Sequence, residues 1–482
     1  MTQHIGIAMS GGGHRASMWA LGPIFYLVRA GKQPEIAAIS SVSGGSITNG
    51  VLAHEIADLR AVTSDQFPDR VRHLIRHVAD VGIFFWGPRT NTYVRALLGL
   101  AAGTGLALLA TLVWTAVAGL RLGSGLCLAG TAVLLIVTTY LFERRSIKTD
   151  AALAAEHYNT NGTPTPLAAV DRPVTHVFCA TEIQEGRHFY MSPRFVYSWA
   201  NGVGIPAALP LSTAVQASAC LPGAFAARRL PVAPHNFTGA AADTPQHGEI
   251  VLVDGGVYDN MAEQWLRNLG DREAVHAALP PQLPVDEVLV VNSSALPGWH
   301  QAAPRWPALV REVRDLLADK SIMYLQTTST RRANMVATWQ ANETLGTGQR
   351  GALVHIATDP RAALVRMTTE PEPKPTGDEA SDRRLGEQRN ARVQRARDAL
   401  GKVDAANANW PEIARLNKGV PTVLRKLGRK TTVRLLYGSY VLAMCMAHVQ
   451  LDYPLYDLPD PNDFARLIAA DCTFTVDELA TP

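Results

Sequence analysis

Strong charge of one sign, paired cysteines and nucleotide-binding glycine patterns are all missing from this chain, and each absence removes a class of function. The formal net charge is only +3 over 482 residues, and no basic stripe interleaved with aromatics runs along the sequence. A nucleic-acid partner would need such a surface to neutralise its phosphates, so none is expected. The five cysteines, Cys127, Cys179, Cys220, Cys445 and Cys472, are scattered and show no paired spacing. That argues against a disulfide framework or a zinc site and for reduced thiols in a protein facing the cytosol. A strand-like run begins almost at Met1, which leaves no room for a cleavable signal peptide. No internal repeat is visible.

Three short motifs stand out instead. Ser41-Val42-Ser43-Gly44-Gly45 joins a strand-like run, Ile36 to Ile39, to a helix-like one, Ile47 to Leu59. A serine among tiny residues at such a junction fits a nucleophile elbow, where larger neighbours would clash with the crossing backbone; a plain Ser/Gly turn fits equally well. Ser10-Gly11-Gly12-Gly13-His14-Arg15 likewise lies between a strand-like run, Ile5 to Met9, and a helix-like one, Ala16 to Tyr26. Consecutive glycines at a helix start leave N–H groups open to a developing anion. Neither a Walker A ending nor a dinucleotide fingerprint follows, so an oxyanion hole fits better than a phosphate loop. Third, Val251-Leu252-Val253-Asp254-Gly255-Gly256 ends a buried-looking strand in an acid and two glycines. A carboxylate so placed can approach a serine and take its proton, although Asp-Gly turns are also common at surfaces.

In this order the three motifs resemble those of the patatin-like phospholipase family. Cys179-Ala180-Thr181-Glu182-Ile183, Ala217 to Phe225, and Tyr258-Asp259-Asn260 are similar to further segments of that family. The resemblance covers residues 4–60 and 170–270. It implies a Ser–Asp dyad without histidine: Ser43 as nucleophile, Asp254 as proton acceptor, and Gly11, Gly12 and Gly13 as the oxyanion hole. Arg15, Gly44, Gly45, Gly255 and Gly256 would support them, and no metal or organic cofactor would be needed. His14 adjoins the glycine loop, but a dyad leaves it no catalytic part. Two positions depart from the family pattern: Ser41 replaces the first elbow glycine, and Ser10 replaces the acid that often opens the oxyanion loop.

The other conspicuous region runs from Ala96 to Phe142. Ala96–Leu120 is uncharged and long enough to cross a hydrocarbon core, and Leu122–Phe142 is a second uncharged run beyond Arg121. Phe84, Phe85, Trp86 and Tyr93 precede the pair, and Tyr140 and Phe142 close it, as an interfacial belt would. Arg89, Arg95, Arg144, Arg145 and Lys148 flank the runs, and Arg121 alone marks the tip. The positive-inside rule then keeps both flanks in the cytoplasm. Gly99 and Gly103 offer a close helix contact. The soluble alternative is a helical hairpin buried in the core.

The expected fold is therefore α/β: a mainly parallel central sheet flanked by helices, with an inserted two-helix transmembrane hairpin. Residues 1–90 and 149–360 would form the catalytic domain, 91–148 the hairpin, and 361–482 a linker and helical extension. Pro307 to Asn342 reads as a helix broken near Thr327–Ser329. His235 and His247 read as exposed loop residues, and the basic cluster Arg425, Lys426, Arg429 and Lys430 as a solvated helix face. The expected function is a multi-pass membrane acyl hydrolase of phospholipase A or lysophospholipase type, acting on membrane phospholipid or lysophospholipid. A catalytically silent lipid-binding scaffold, a thioesterase and a neutral-lipid esterase are the alternatives.

Overall fold

The strand-like runs are near-continuous in apolar residues, the pattern of strands covered on both faces, and the computed structural model bears this out. It describes residues 3–82, 88–119, 122–239, 248–267, 279–294, 308–373 and 377–482; Phe84, Phe85, Trp86, Arg121 and His247 lie outside them. The chain opens with β1 (Ile5–Met9), α1 (Gly13–Arg29), β2 (Ile36–Ser41), α2 (Gly44–Glu55) and α3 (Phe67–Arg76). Two long helices follow, α4 (Pro88–Ala118) and α5 (Leu122–His157), then a small ribbon of β3 (Asn159–Thr160) and β4 (Thr163–Pro164). Next come β5 (Thr175–Glu182), β6 (Arg187–Met191), β7 (Val196–Ser198), β8 (Gly202–Gly204), α6 (Leu211–Ser218), β9 (Arg228–Pro231) and β10 (Glu249–Asp254). The sheet is completed by β11 (Glu287–Asn292) and β12 (Arg350–His355).

The large sheet runs β12-β11-β1-β2-β5-β6-β7-β8, with β10 paired to β5 and β9. Strands β12 to β5 are mutually parallel, whereas β6, β7, β8 and β10 pair antiparallel. The expected helix-flanked α/β sheet is thus present, with its parallel order confined to one half. Alternate residues of each strand enter opposite cores. Ile5, Ile7 and Met9 join Leu289 and Val291 on one face; Ala8, Val288 and Val290 join Trp265 and Phe195 on the other.

The C-terminal residues belong to the first of these cores. Helix Arg429–Leu451 packs along α1 and β12, and Val433, Leu436, Tyr440 and Met444 are fully buried or nearly so. It is one of two described helices long and apolar enough to cross a membrane, but 94% of its most apolar stretch is buried inside the protein. The other, Gly125–His157, has only 6% of its most apolar stretch buried. Helix Ala308–Leu345 continues through Thr327–Ser329 without the expected break; single Thr and Ser residues lower helix propensity only slightly.

Helices α4 and α5 lie side by side and carry their apolar residues outward: Leu106 is 69%, Ile136 67% and Val117 83% exposed. The seam between them is lined by threonines. Thr104 meets Thr138, and Thr111 meets Thr131, each at 3.3 Å between hydroxyl oxygens. All four hydroxyls also donate to the carbonyl four residues earlier. Polar groups inside and leucines outside invert the pattern of a water-soluble hairpin. The Gly99–Gly103 pair takes no part, because nothing lies within 4 Å of a Cβ built on either residue.

Candidate active site

Strand pairing brings the two candidate dyad residues to one edge of β5. One side of β5 is occupied by β6 over Phe178–Glu182. On the other side β2 ends with Ser41 opposite Phe178, and β10, arriving from the opposite direction, ends with Asp254 opposite Ala180. Ser43 and Asp254 therefore leave the sheet at adjacent points. Ser43 sits at φ 52°, ψ −120°, a strained conformation costing about 1–3 kcal/mol. It is half-buried while its neighbours Ser41, Val42, Gly44 and Gly45 are buried, so the strain lifts this one side chain out of the fold.

The glycine loop lies directly over this elbow. A Cβ on Gly11 would lie 3.2 Å from the Ser43 Cβ and overlap Asn260 Oδ1; one on Gly44 would overlap the Gly13 carbonyl oxygen. Ser17 Oγ ties the two helix starts together by donating to the Gly44 carbonyl at 2.8 Å. Helices α1 and α2 begin at Gly13 and Gly44, so two helix N-termini, each partially positive, converge on Ser43. The acid is fixed in the same neighbourhood. Asp254 is buried, and its carboxylate accepts from the Gly256 N–H at 2.8 Å. A Cβ on Gly256 would lie 2.6 Å from Asn260 Oδ1, and one on Gly255 would overlap the Cys179 carbonyl.

One of the three expected oxyanion donors is otherwise engaged. The Gly11 N–H donates to the Asn260 carbonyl at 3.0 Å, so it holds the loop to the acid segment instead of facing an anion. Gly12 (φ +145°) and Gly13 (φ +61°) adopt backbone angles that disfavour any side chain. Their N–H groups remain the candidate donors.

The sequence model of the patatin-like phospholipase family matches residues 7–264, which span every element just described up to and beyond Asp254. The chain belongs to the patatin-like phospholipase family. No curated protein sequence matches it. Among solved structures it resembles human GIVD cytosolic phospholipase A2, at 12% identity and a TM-score of 0.37, over 61% of this chain and 46% of that one. The same enzyme in complex with methyl gamma-linolenyl fluorophosphonate gives 14% identity and 0.31, over 61% and 41%. VipD from Legionella pneumophila gives 12% identity and 0.25, over 99% and 89%.

Both departures from the patatin-like pattern have local partners. The Ser41 hydroxyl donates to the Val177 carbonyl at 3.1 Å and accepts from Ser46 Oγ and Asn49 Nδ2 at 3.0 and 2.9 Å. Burial pushes His176 down to about 3, so its neutral ring donates from Nδ1 to Asn49 Oδ1 at 2.7 Å. Ser46 in turn meets Ser218 Oγ at 2.8 Å. A buried ladder thus underlies the elbow where the usual glycine offers no side chain. Ser10 is held by Ser293, whose N–H donates to Ser10 Oγ at 2.7 Å and whose hydroxyl donates to the Gly11 carbonyl, also at 2.7 Å.

A strap that the sequence reading missed, residues 420–428, crosses the glycine loop. Its Val423 carbonyl accepts the His14 N–H at 2.9 Å, and Arg15 donates to the Val420 carbonyl at 2.5 Å and to Thr422 Oγ1 at 3.2 Å. His14 Nδ1 lies 2.9 Å from the Arg425 carbonyl, and burial lowers the ring to about 4, so it is neutral at pH 7. Arg15 and His14 hold the strap to the loop. His235, expected in an exposed loop, is buried with Nδ1 2.8 Å from the Ile205 carbonyl.

The tight approach of elbow and loop is testable. Gly44→Ala should push the Gly13 peptide away and slow ester hydrolysis about 10²-fold, the scale of an ångström misplacement. Unchanged kcat in a folded Gly44→Ala protein would show that this contact does not set the site.

Proposed function

We propose that this patatin-like protein is a membrane-associated serine acyl hydrolase of phospholipase A or lysophospholipase type, using Ser43 and Asp254. The observation that carries this reading is the convergence of a strained, half-buried Ser43, a buried strand-end Asp254 and the Gly12–Gly13 turn at one edge of β5. Ser43 Oγ attacks the ester carbonyl carbon while its proton passes to Asp254. The Gly12 and Gly13 N–H groups, backed by the N-termini of α1 and α2, stabilise the oxyanion. The carbon–oxygen bond to the leaving alcohol then breaks, and the alcohol takes the proton from Asp254. Water, deprotonated by the same carboxylate, hydrolyses the acyl-Ser43 ester and restores the enzyme. Labelling with a fluorophosphonate tests the reading directly: covalent capture at Ser43 is expected, and a protein inert to the probe and to every lipid ester would refute it.

The outward leucines and inward threonines of α4 and α5 support a lipid setting for the hairpin, with its basic flanks in the cytoplasm. Replacing residues 96–142 by a short Gly/Ser linker, while keeping 143–157, should move the protein from the membrane fraction to the soluble one. Hydrolysis of a short-chain soluble ester should persist, and activity on bilayer phospholipid should fall much further because enforced proximity is lost. A folded deletion protein that still pellets with membranes after a high-salt wash would contradict the anchor.

A further inference from the structure

We propose that the buried root of α5, with Asp150 at its centre, is a positioning element of the acyl-transfer site, so the helix that carries the hairpin's second run also braces the dyad. The inference rests on the Ser43–Asp254 reading above. Helix α5 is one continuous element from Leu122 to His157. Its first part is exposed, but Ser146 and Thr149 are buried against the catalytic fold. There the root grips both ends of the segment from α6 to β9. Asp150 Oδ2 accepts from Thr213 Oγ1 in α6 and from the Arg228 guanidinium at the start of β9, each at 2.6 Å. Ser146 Oγ donates to the Ala226 carbonyl at 2.7 Å, and the Arg145 guanidinium lies 5.1 Å from the centre of the Phe225 ring.

The middle of that segment holds the backbone amides of both candidate dyad residues. The Ser43 N–H donates to Ser218, at 3.2 Å to its carbonyl and 3.1 Å to its hydroxyl. The Asp254 N–H donates to the Cys220 carbonyl at 2.9 Å. Ser218 Oγ is itself fixed by donation to the Cys179 carbonyl at 2.7 Å, and Cys220 Sγ bonds the Ala226 carbonyl at 2.9 Å. The turn Ser218–Cys220 is therefore a shared clamp. The root of α5 fixes its two ends, and movement of that root shifts Ser43 and Asp254 relative to each other.

Full-length protein in detergent micelles, assayed on a soluble short-chain ester, tests this without any bilayer requirement. Asp150→Asn keeps an acceptor for Thr213 but loses the charge that holds Arg228. It should lower kcat about 10²-fold with KM within about twofold, leave the thermal midpoint unchanged, and speed hydrogen exchange at the Ser43 and Asp254 amides. Asp150→Glu should recover most of the loss. Normal kcat and normal exchange in Asp150→Asn would overturn the proposal. So would a loss that follows thermal destabilisation and is not relieved by Glu. If wild-type protein neither hydrolyses ester nor takes the fluorophosphonate, the dyad reading fails; the exchange measurement still decides whether Asp150 braces the two amides.

Discussion

Ser43→Ala should reduce ester hydrolysis about 10⁴-fold or more, while expression, thermal midpoint and membrane fractionation stay as in wild type. The size follows from the chemistry. In the proposed mechanism no acyl-enzyme forms without Oγ, and the glycine loop would only polarise a carbonyl for a water that nothing has positioned. The structure gives a reason to expect an intact fold. Ser43 contributes its backbone to the elbow, and its N–H contact with Ser218 survives the change. Ala at φ 52° carries the same strain as Ser, since both possess a Cβ. No neighbouring serine is a plausible substitute. Ser41, Ser46 and Ser218 are buried and committed to the ladder beneath the elbow. The decisive measurement is fluorophosphonate capture alongside turnover: both should vanish together. Turnover within about tenfold of wild type would place the nucleophile elsewhere.

What the sequence made legible, and what it did not, divides by contact range. The elbow, the glycine loop and the acid could each be read from a few consecutive residues, because a strand end followed by small residues is a local event. Even their convergence follows once β2 and β5 are parallel and β10 returns antiparallel. The engagement of the Gly11 N–H is not legible for the opposite reason: its acceptor, the Asn260 carbonyl, is a backbone atom that no motif advertises. The strap was hidden in the same way, since Arg15 bonds residues about four hundred positions away.

At the C-terminus composition read the side chains but not the backbone. Arg425, Lys426 and Arg429 are exposed, as a solvated cluster should be, although Arg425 and Lys426 precede the helix that begins at Arg429, and the backbone there does the structural work. The Leu427 N–H donates to the Val78 carbonyl and the Gly428 N–H to the Ala79 carbonyl, while Arg429 pairs with Asp80 at 3.0 Å. The strap thereby joins the glycine loop to the chain entering the hairpin. Apolar helices are ambiguous from sequence for a related reason. Arg429–Leu451 and the helix of the hairpin both pass a test of length and hydropathy, and only packing separates a core helix from one that faces outward. Threonines buried between exposed leucines supply that distinction for α4 and α5.

Asp254→Asn should be nearly as damaging as loss of the nucleophile, lowering kcat about 10³-fold or more with little change in KM. The amide keeps the side-chain volume, and its carbonyl oxygen can still accept the Gly256 N–H, so the loop after β10 should hold its shape. What it cannot do is take a proton from Ser43 or return one to the leaving alcohol. The informative control is His14→Ala. His14 is buried, neutral at pH 7 and engaged with the Arg425 carbonyl, which makes it a tie between the glycine loop and the strap. Its loss should slow turnover about tenfold through a loosened oxyanion loop, on the scale of a sub-ångström displacement. The two variants also differ in pH response. A protein lacking only the strap contact should keep the wild-type profile, because its proposed base is intact, whereas the Asn variant should lose the limb that reports the base. If His14→Ala proves as severe as Asp254→Asn, and flattens the same limb, the proton leaves Ser43 through an imidazole and the two-residue mechanism is wrong.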